Sequence, residues 1–322
     1  MHRRDGSTLM EVLIAIFVMG IGLLSVLAMF PMAALTMARA FKDDRAGHAA
    51  ASGKSIAIAQ NIRFDANVLP FFDTPPGASY DLPALDGPGY PVFIDPFGYS
   101  SYSPGADQSF VGRDTGIRRT TLSFVAPAGV SDVKQVLRWC TLLDDITFGE
   151  KGQPSTAATG VTERATSVSW AWLVRRPKAG LSSFCELTVV VYNQRPLTNT
   201  VQLAAKEQSY SNCPVGGPAG TQMNLVTLVW GSGQPMPRVV EGGWVLDATP
   251  NASTVNAGKL GPCNATFYRV VNVGDTNGNS VEIELDKPLR GFPRPGNRAT
   301  IVILDGVAEV YECGAAWSAG NN

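Results

Sequence analysis

The residues that decide the fold run Gly6-Ser7-Thr8-Leu9-Met10-Glu11-Val12-Leu13-Ile14-Ala15-Ile16-Phe17-Val18-Met19-Gly20-Ile21-Gly22-Leu23-Leu24. From Val12 to Ala38 the chain carries 27 residues without a charge. As a helix, roughly 20 such residues cross a ~30 Å hydrocarbon layer, so the run suffices for one membrane span. Arg3 and Arg4 precede it, while Arg39, Lys42 and Arg45 follow, so flanking charge alone does not orient it strongly. A secretory signal peptide would be cut at Ala38-Arg39-Ala40, but the apolar run is about twice the usual length for that role. An uncleaved signal anchor fits the hydropathy as well. What separates the readings is Glu11. A carboxylate at the mouth of an apolar helix costs several kcal/mol unless something pairs with it. Cleavage after Gly6 would expose an amine on Ser7, one helical turn away. In a bundle of staggered helices that amine meets Glu11 of a neighbour, and the charge becomes a register pin.

At these residues the sequence resembles the type IV prepilin family, which includes minor pilins and type II secretion pseudopilins. The matching features are a short basic leader ending in Gly6, a glutamate five residues beyond the cut, and an unbroken apolar helix. The run from Glu11 to Leu24 is especially similar to PilV-like minor prepilins. Ser7 departs from the phenylalanine usual there. The resemblance covers about the first 60 residues. It implies cleavage by prepilin peptidase after Gly6, N-methylation of Ser7 and assembly through Glu11. It also implies partners in other pilins or pseudopilins, an inner-membrane assembly platform and the lipid bilayer, with the head held outside the cytoplasm.

The helix is expected to continue past the membrane. Residues 32–63 are rich in Ala with no proline, and Ala34, Met37, Phe41, Ile56, Ala59 and Ile62 recur near helical spacing as one apolar stripe. Continuous from Leu9 to Arg63, such a helix is roughly 80 Å long. Pro31 is accommodated by a kink. Gly20, Gly22, Ser25 and Ala28 offer small surfaces for close helix approach, but they read first as ordinary membrane-helix residues facing lipid.

Residues 64–112 are dense in Pro, Gly and aromatics, a composition that disfavours helix and central strand alike. They read as an ordered covering loop, with Tyr90, Tyr99 and Tyr102 buried in it rather than displayed for recognition. Ser131 starts an expected amphipathic helix, SDVKQVLRWCTLLDD, placing Val133, Val136, Leu137, Cys140 and Leu143 on one face. A Gly/Ser/Thr/Pro stretch over 147–165 marks the candidate internal boundary. From 166 onward, β-branched and aromatic runs alternate with turn residues. The Asn277-Gly278 pair marks a hairpin between TFYRVVNV and SVEIELD. The expected organisation is therefore a leader over 1–6, a membrane and stalk helix over 7–63, a loop-rich region over 64–165 and a β-rich head over 166–322. In class this is α+β: a pilin-like long helix with a mostly antiparallel sandwich or barrel.

Composition narrows the chemistry. The chain of 322 residues has a net charge of −1 and only 16% charged residues, so no extended field recruits polyanions and nucleic acid is disfavoured as a partner. Its two histidines, His2 and His48, leave the rest without a histidine base, triad or zinc ligand. His48, among alanines, reads as structural or exposed. Asp275, Asn277 and Asn279 imitate part of a calcium loop without its acidic cap and read as a hairpin tip. Asp144, Asp145 and Glu150 read as a solvated helix end. Arg290, Arg294 and Arg298 read as loop decoration, since Pro293 and Pro295 forbid a shared helical face. No metal, cofactor or catalytic residue is expected. The rival of another class, an exported carboxylate hydrolase, would need acidic residues gathered in a pocket. Cys140, Cys185, Cys213, Cys263 and Cys313 read as scattered core residues or as long-range disulfides; with the head exported, as the resemblance implies, they are expected to be oxidised in at most two bonds with one thiol left over. Five cysteines allow fifteen sets of two pairs, and spacing does not choose among them.

Overall fold

In a computed structural model, residues 9–96, 98, 115–124, 139–148, 153, 167–178, 184–195, 207–217, 221–292 and 296–317 are described. The chain divides into two compact units, Met1–Gly47 and His48–Asn322. Helix α1, Leu9–Ala59, is continuous over 51 residues with Pro31 inside it. Hydroxyls in its apolar stretch are absorbed by its own backbone. Ser25 donates to the Gly22 carbonyl at 2.8 Å and Thr36 to the Ala33 carbonyl at 2.8 Å. That is how an apolar rod keeps hydroxyls without stranding them.

In the second unit, the end of α1 buries a face of small residues. Ala49, Ala50, Gly53 and Ala57 are buried. This corrects the expected stripe: Ile56 is half-buried, Ala59 is exposed, and Ile62 is buried only after the helix has ended. The reason is a flat partner. The Trp172 indole donates to the Gly53 carbonyl at 2.8 Å. A β-carbon at position 53 would lie 2.9 Å from Trp170 Cδ1 and 3.1 Å from Val189 Cγ1. Large side chains on this face would hold the helix off the sheet. Asn61, in the left-handed region at φ 47°, then ends the helix, and the buried Arg63 that follows places its guanidinium 5.7 Å from the Trp317 ring.

The sheet beneath contains β1 (Val92–Ile94), β2 (Arg118–Thr120), β3 (Val168–Arg175), β4 (Cys185–Asn193) and a late strand, Val307–Trp317. In space the late strand is outermost, followed by β4, β3, β1 and β2. Among the described strand pairs of this sheet, only β1–β2 is parallel. β1 lies inside the proline-dense segment and is a central strand, contrary to the loop expected there. Its three residues fit between Pro91 and Pro96, so neither proline has to donate to a ladder.

Six further strands close a barrel. They are β5 (Glu207–Gly216), β6 (Gln222–Val229), β7 (Trp244–Asp247), β10 (Thr266–Asn277), β11 (Ser280–Leu285) and β12 (Arg298–Leu304). Between β7 and β10, the short strands β8 (Pro250–Ala252) and β9 (Leu260–Cys263) pair with each other, and the late strand of the sheet is β13. Tyr210, Cys213, Val226, Leu228, Val245, Tyr268, Ile283 and Ile301 fill the barrel. A second core, with Phe93, Leu173, Val190 and Tyr192 from the sheet side and Leu246, Phe267, Val302 and Leu304 from the barrel wall, joins the two. The architecture is thus a long helix with a mostly antiparallel head, and the head is an open sheet packed on a closed barrel.

The helix expected over 131–145 does not extend through its described last residues, Cys140–Asp145. Residues 131–138 lie outside the described residues. Beyond the helical Trp139, the chain turns. Cys140 accepts from the Trp170 amide at 3.0 Å, Thr141 bridges to Ser169, and Leu143 is 77% exposed. At Cys140 and Thr141 the chain therefore approaches β3 by backbone pairing, while Val133, Val136 and Leu137 of the expected helix face lie outside the described residues.

Gly53→Ala should lower head stability by about 1–3 kcal/mol through overpacking against Trp170, despite alanine's better helix propensity. Urea unfolding of the detergent-solubilised protein, followed by tryptophan fluorescence, measures this.

Candidate functional site: the N-terminal helix and the charges inside the head

Gly6 and Ser7 lie outside the described residues. Glu11 stands in the first turn of α1, where a carboxylate faces the positive end of the helix dipole. Around it the helix is apolar on all sides and exposed: Leu13 is 58%, Phe17 68% and Leu24 73% accessible. A helix of this kind belongs in an apolar environment, lipid or other helices, rather than water. It is long and apolar enough to cross a membrane. A β-carbon at Gly20 or Gly22 would meet nothing within 4 Å, so the chain's own packing does not require glycine at either place.

The head holds a constellation that sequence reading did not single out. Asp95, just after β1, Arg119 on β2, Arg195, just after β4, and Glu207, opening β5, are all buried. Arg195 grips Asp95 with both nitrogens, at 2.7 and 2.6 Å. Arg119 Nε lies 3.2 Å from Asp95, and its terminal nitrogen donates to Glu207, which also lies 3.5 Å from Arg195. The Tyr192 ring packs 4.2 Å from the Arg195 guanidinium. The Gly98 amide donates to Asp95 at 2.9 Å, and any β-carbon at Gly98 would collide with the same carboxylate. Burial opposes the charge on Asp95, but Arg195 and Arg119 outweigh it and hold its pKa below the ordinary value. Two cations and two anions leave the cluster neutral. It ties three strands of the sheet to the barrel. No alternation or spacing betrays it, because its members are far apart along the chain.

The remaining sequence candidates are dispersed. Tyr90 is buried and donates to the Asp81 carbonyl at 2.5 Å, while Tyr99 and Tyr102 lie outside the described residues. Asp145 is buried, accepting from the Ser167 amide and hydroxyl; Asp144 is exposed and Glu150 lies outside the described residues. Asp275, Asn277 and Asn279 are exposed at the β10–β11 tip, Gly278 and Asn279 forming its two-residue loop with Gly278 at φ 59°. Arg290 and Arg298 are exposed, Arg294 lies outside the described residues, and His48 is exposed on α1. Among the described residues no three His, Cys, Asp or Glu side chains gather as a metal site.

None of the five cysteines is in a disulfide. Cys213 sits in the barrel core, Cys263 in the core joining sheet and barrel, and Cys185 opens β4 opposite Trp317. Cys140 meets β3 through its carbonyl, and Cys313 is half-buried on β13. Burial pushes the Cys185 and Cys213 thiols up to about 11 and raises Cys313 as well.

Residues 1–27 match the family model for the prokaryotic N-terminal methylation motif. Comparison with curated proteins and with solved structures finds no match. The N-terminus is therefore type IV prepilin-like, carried on a β-rich head.

Two outcomes follow from the head's chemistry. Asp95→Asn should cost about 3–5 kcal/mol, because it removes the carboxylate that two buried guanidiniums share. With its folded pKa below the unfolded value of about 3.9, Asp95 contributes fully near neutrality, and that contribution is lost as pH falls below about 4; urea titrations across pH on both proteins measure the difference. Thiol alkylation of the native protein should label Cys313 ahead of Cys185 and Cys213, with the buried pair reacting only on unfolding, as read by peptide mass mapping.

Proposed function

We propose that this protein is a structural, non-enzymatic subunit of a type IV pilus-like filament, a minor pilin or pseudopilin, made as a membrane-stored precursor. The observation that carries this reading is the methylation-motif match over residues 1–27 on a helix that is apolar on every side. Prepilin peptidase cuts after Gly6 and the new Ser7 amine is methylated. The helix is held in the inner membrane with the head outside the cytoplasm. An assembly platform then draws it into a filament of related subunits, exchanging lipid for neighbouring helices. The Ser7 amine of one subunit meets Glu11 of another; a mis-staggered subunit leaves a charge stranded among apolar side chains, which costs several kcal/mol. The head's bulk would crowd a closely stacked shaft, so a tip or low-abundance position suits it. No cofactor enters this scheme.

The mature N-terminus tests it. Mass analysis of protein from membranes should find a chain beginning at methylated Ser7; one that retains residues 1–6, or begins at Phe41, overturns the reading in favour of a signal anchor or an ordinary signal peptide. Glu11→Ala should reach the membrane at normal levels yet be absent from sheared filaments, and incorporation at the wild-type level would remove Glu11 from the role given it.

A further inference from the structure

The geometry points to Asn277 as a self-modification site, where the folded protein converts its own asparagine to aspartate and isoaspartate. Asn277-Gly278 is the one Asn-Gly pair in the chain. It stands at the tip of the β10–β11 ribbon, where every residue from Gly274 to Asn279 is exposed. A glycine after asparagine leaves the backbone nitrogen uncrowded, since no β-carbon shields it. At Gly278 the surroundings are open as well: nothing lies within 4 Å of where a β-carbon would be. Asn277 pairs with Ser280 across the turn, so the Gly278 nitrogen belongs to the loop rather than to the ladder. Reaction requires the last pair to fray, and exposed strand ends open at little cost.

The chemistry needs only water. The Gly278 nitrogen attacks Asn277 Cγ, a carbon–nitrogen bond forms, and the carboxamide nitrogen leaves as ammonia with the displaced proton. Water then opens the cyclic imide at either carbonyl, yielding aspartate or, with the backbone rerouted through Cγ, isoaspartate. Both products add a negative charge beside Asp275. The isoaspartyl product also adds a methylene to the main chain at the register pair with Ser280, so the tip can no longer close on two residues. The Trp230 amide, which donates to the Asn279 carbonyl at 3.1 Å, then loses its acceptor. Two other asparagines are held: the Asn251 carboxamide donates to the Pro262 carbonyl at 2.6 Å and that of Asn264 to the Arg290 carbonyl at 3.4 Å, and alanine follows each.

The full chain in detergent is incubated at mildly alkaline pH and mapped by peptide mass with isoaspartyl detection. The amide of Asn277 should be lost ahead of those of Asn251 and Asn264, with both acidic products present, while Asn277→Gln, whose longer arm disfavours ring closure, stays intact. Retention of the Asn277 amide for as long as those of Asn251 and Asn264 overturns the proposal, whether or not the urea-unfolded chain converts. Amide exchange at Trp230 should speed up in the aged sample, and unchanged exchange there would refute the opening of the tip.

Discussion

A helix that is apolar on every side cannot rest in water, and this constraint governs α1 from Leu9 to Phe41. Leu9, Phe17, Leu24, Phe30 and Phe41 are more than half exposed, so the chain's own packing leaves that surface to be covered by its surroundings. The same helix meets the opposite requirement after His48. There it lies on tryptophans of a sheet, and only Ala and Gly allow backbone and indole to come within hydrogen-bond distance. Large side chains suit a surface that neighbours will cover. Small ones suit a surface already covered by the same chain. One continuous helix thus carries two kinds of contact, distinguished by residue size rather than by hydropathy alone.

That distinction explains what could be read in advance and what could not. The apolar span was plain from composition, because a single segment keeps every backbone group bonded in an apolar medium only as a helix. Strands β3, β4, β11 and β12 were plain from β-branched and aromatic runs. β5 was not, since Asn212 in the left-handed region and Pro214 break its pattern, and its place in the barrel is set by pairing with β12 on one side and β6 on the other. β1 was hidden by prolines that flank it without entering the ladder. The small-residue face escaped because a search for apolar periodicity favours Ile56 over Gly53, whereas a flat indole wall favours the reverse.

The hairpin tip shows a finer limit. Asn277-Gly278 correctly marked the turn between β10 and β11, yet the loop itself is Gly278-Asn279, one residue later, with Asn277 still paired to Ser280. Glycine takes the first loop position, where positive φ is needed, and asparagine closes the ladder. Turn chemistry therefore located the reversal but register, a property of the whole ribbon, decided which residues hold it.

The buried charges lie furthest from sequence reading and say most about how the head is organised. Only 16% of the residues are charged, yet Asp95, Arg119, Arg195 and Glu207 are withdrawn from water together. Desolvating four charges costs more than a well-packed apolar cluster of the same volume would, so raw stability does not account for them. What they add is direction. Apolar contacts such as those of Phe93, Leu246 and Val302 tolerate sliding, because dispersion depends weakly on angle. A two-pronged Arg195–Asp95 grip does not tolerate it: a small rotation of the barrel on the sheet would draw Glu207 away from Arg119 and leave each a buried, uncompensated ion. The apolar core thus supplies the attraction between sheet and barrel, and the charge cluster restricts that attraction to one orientation.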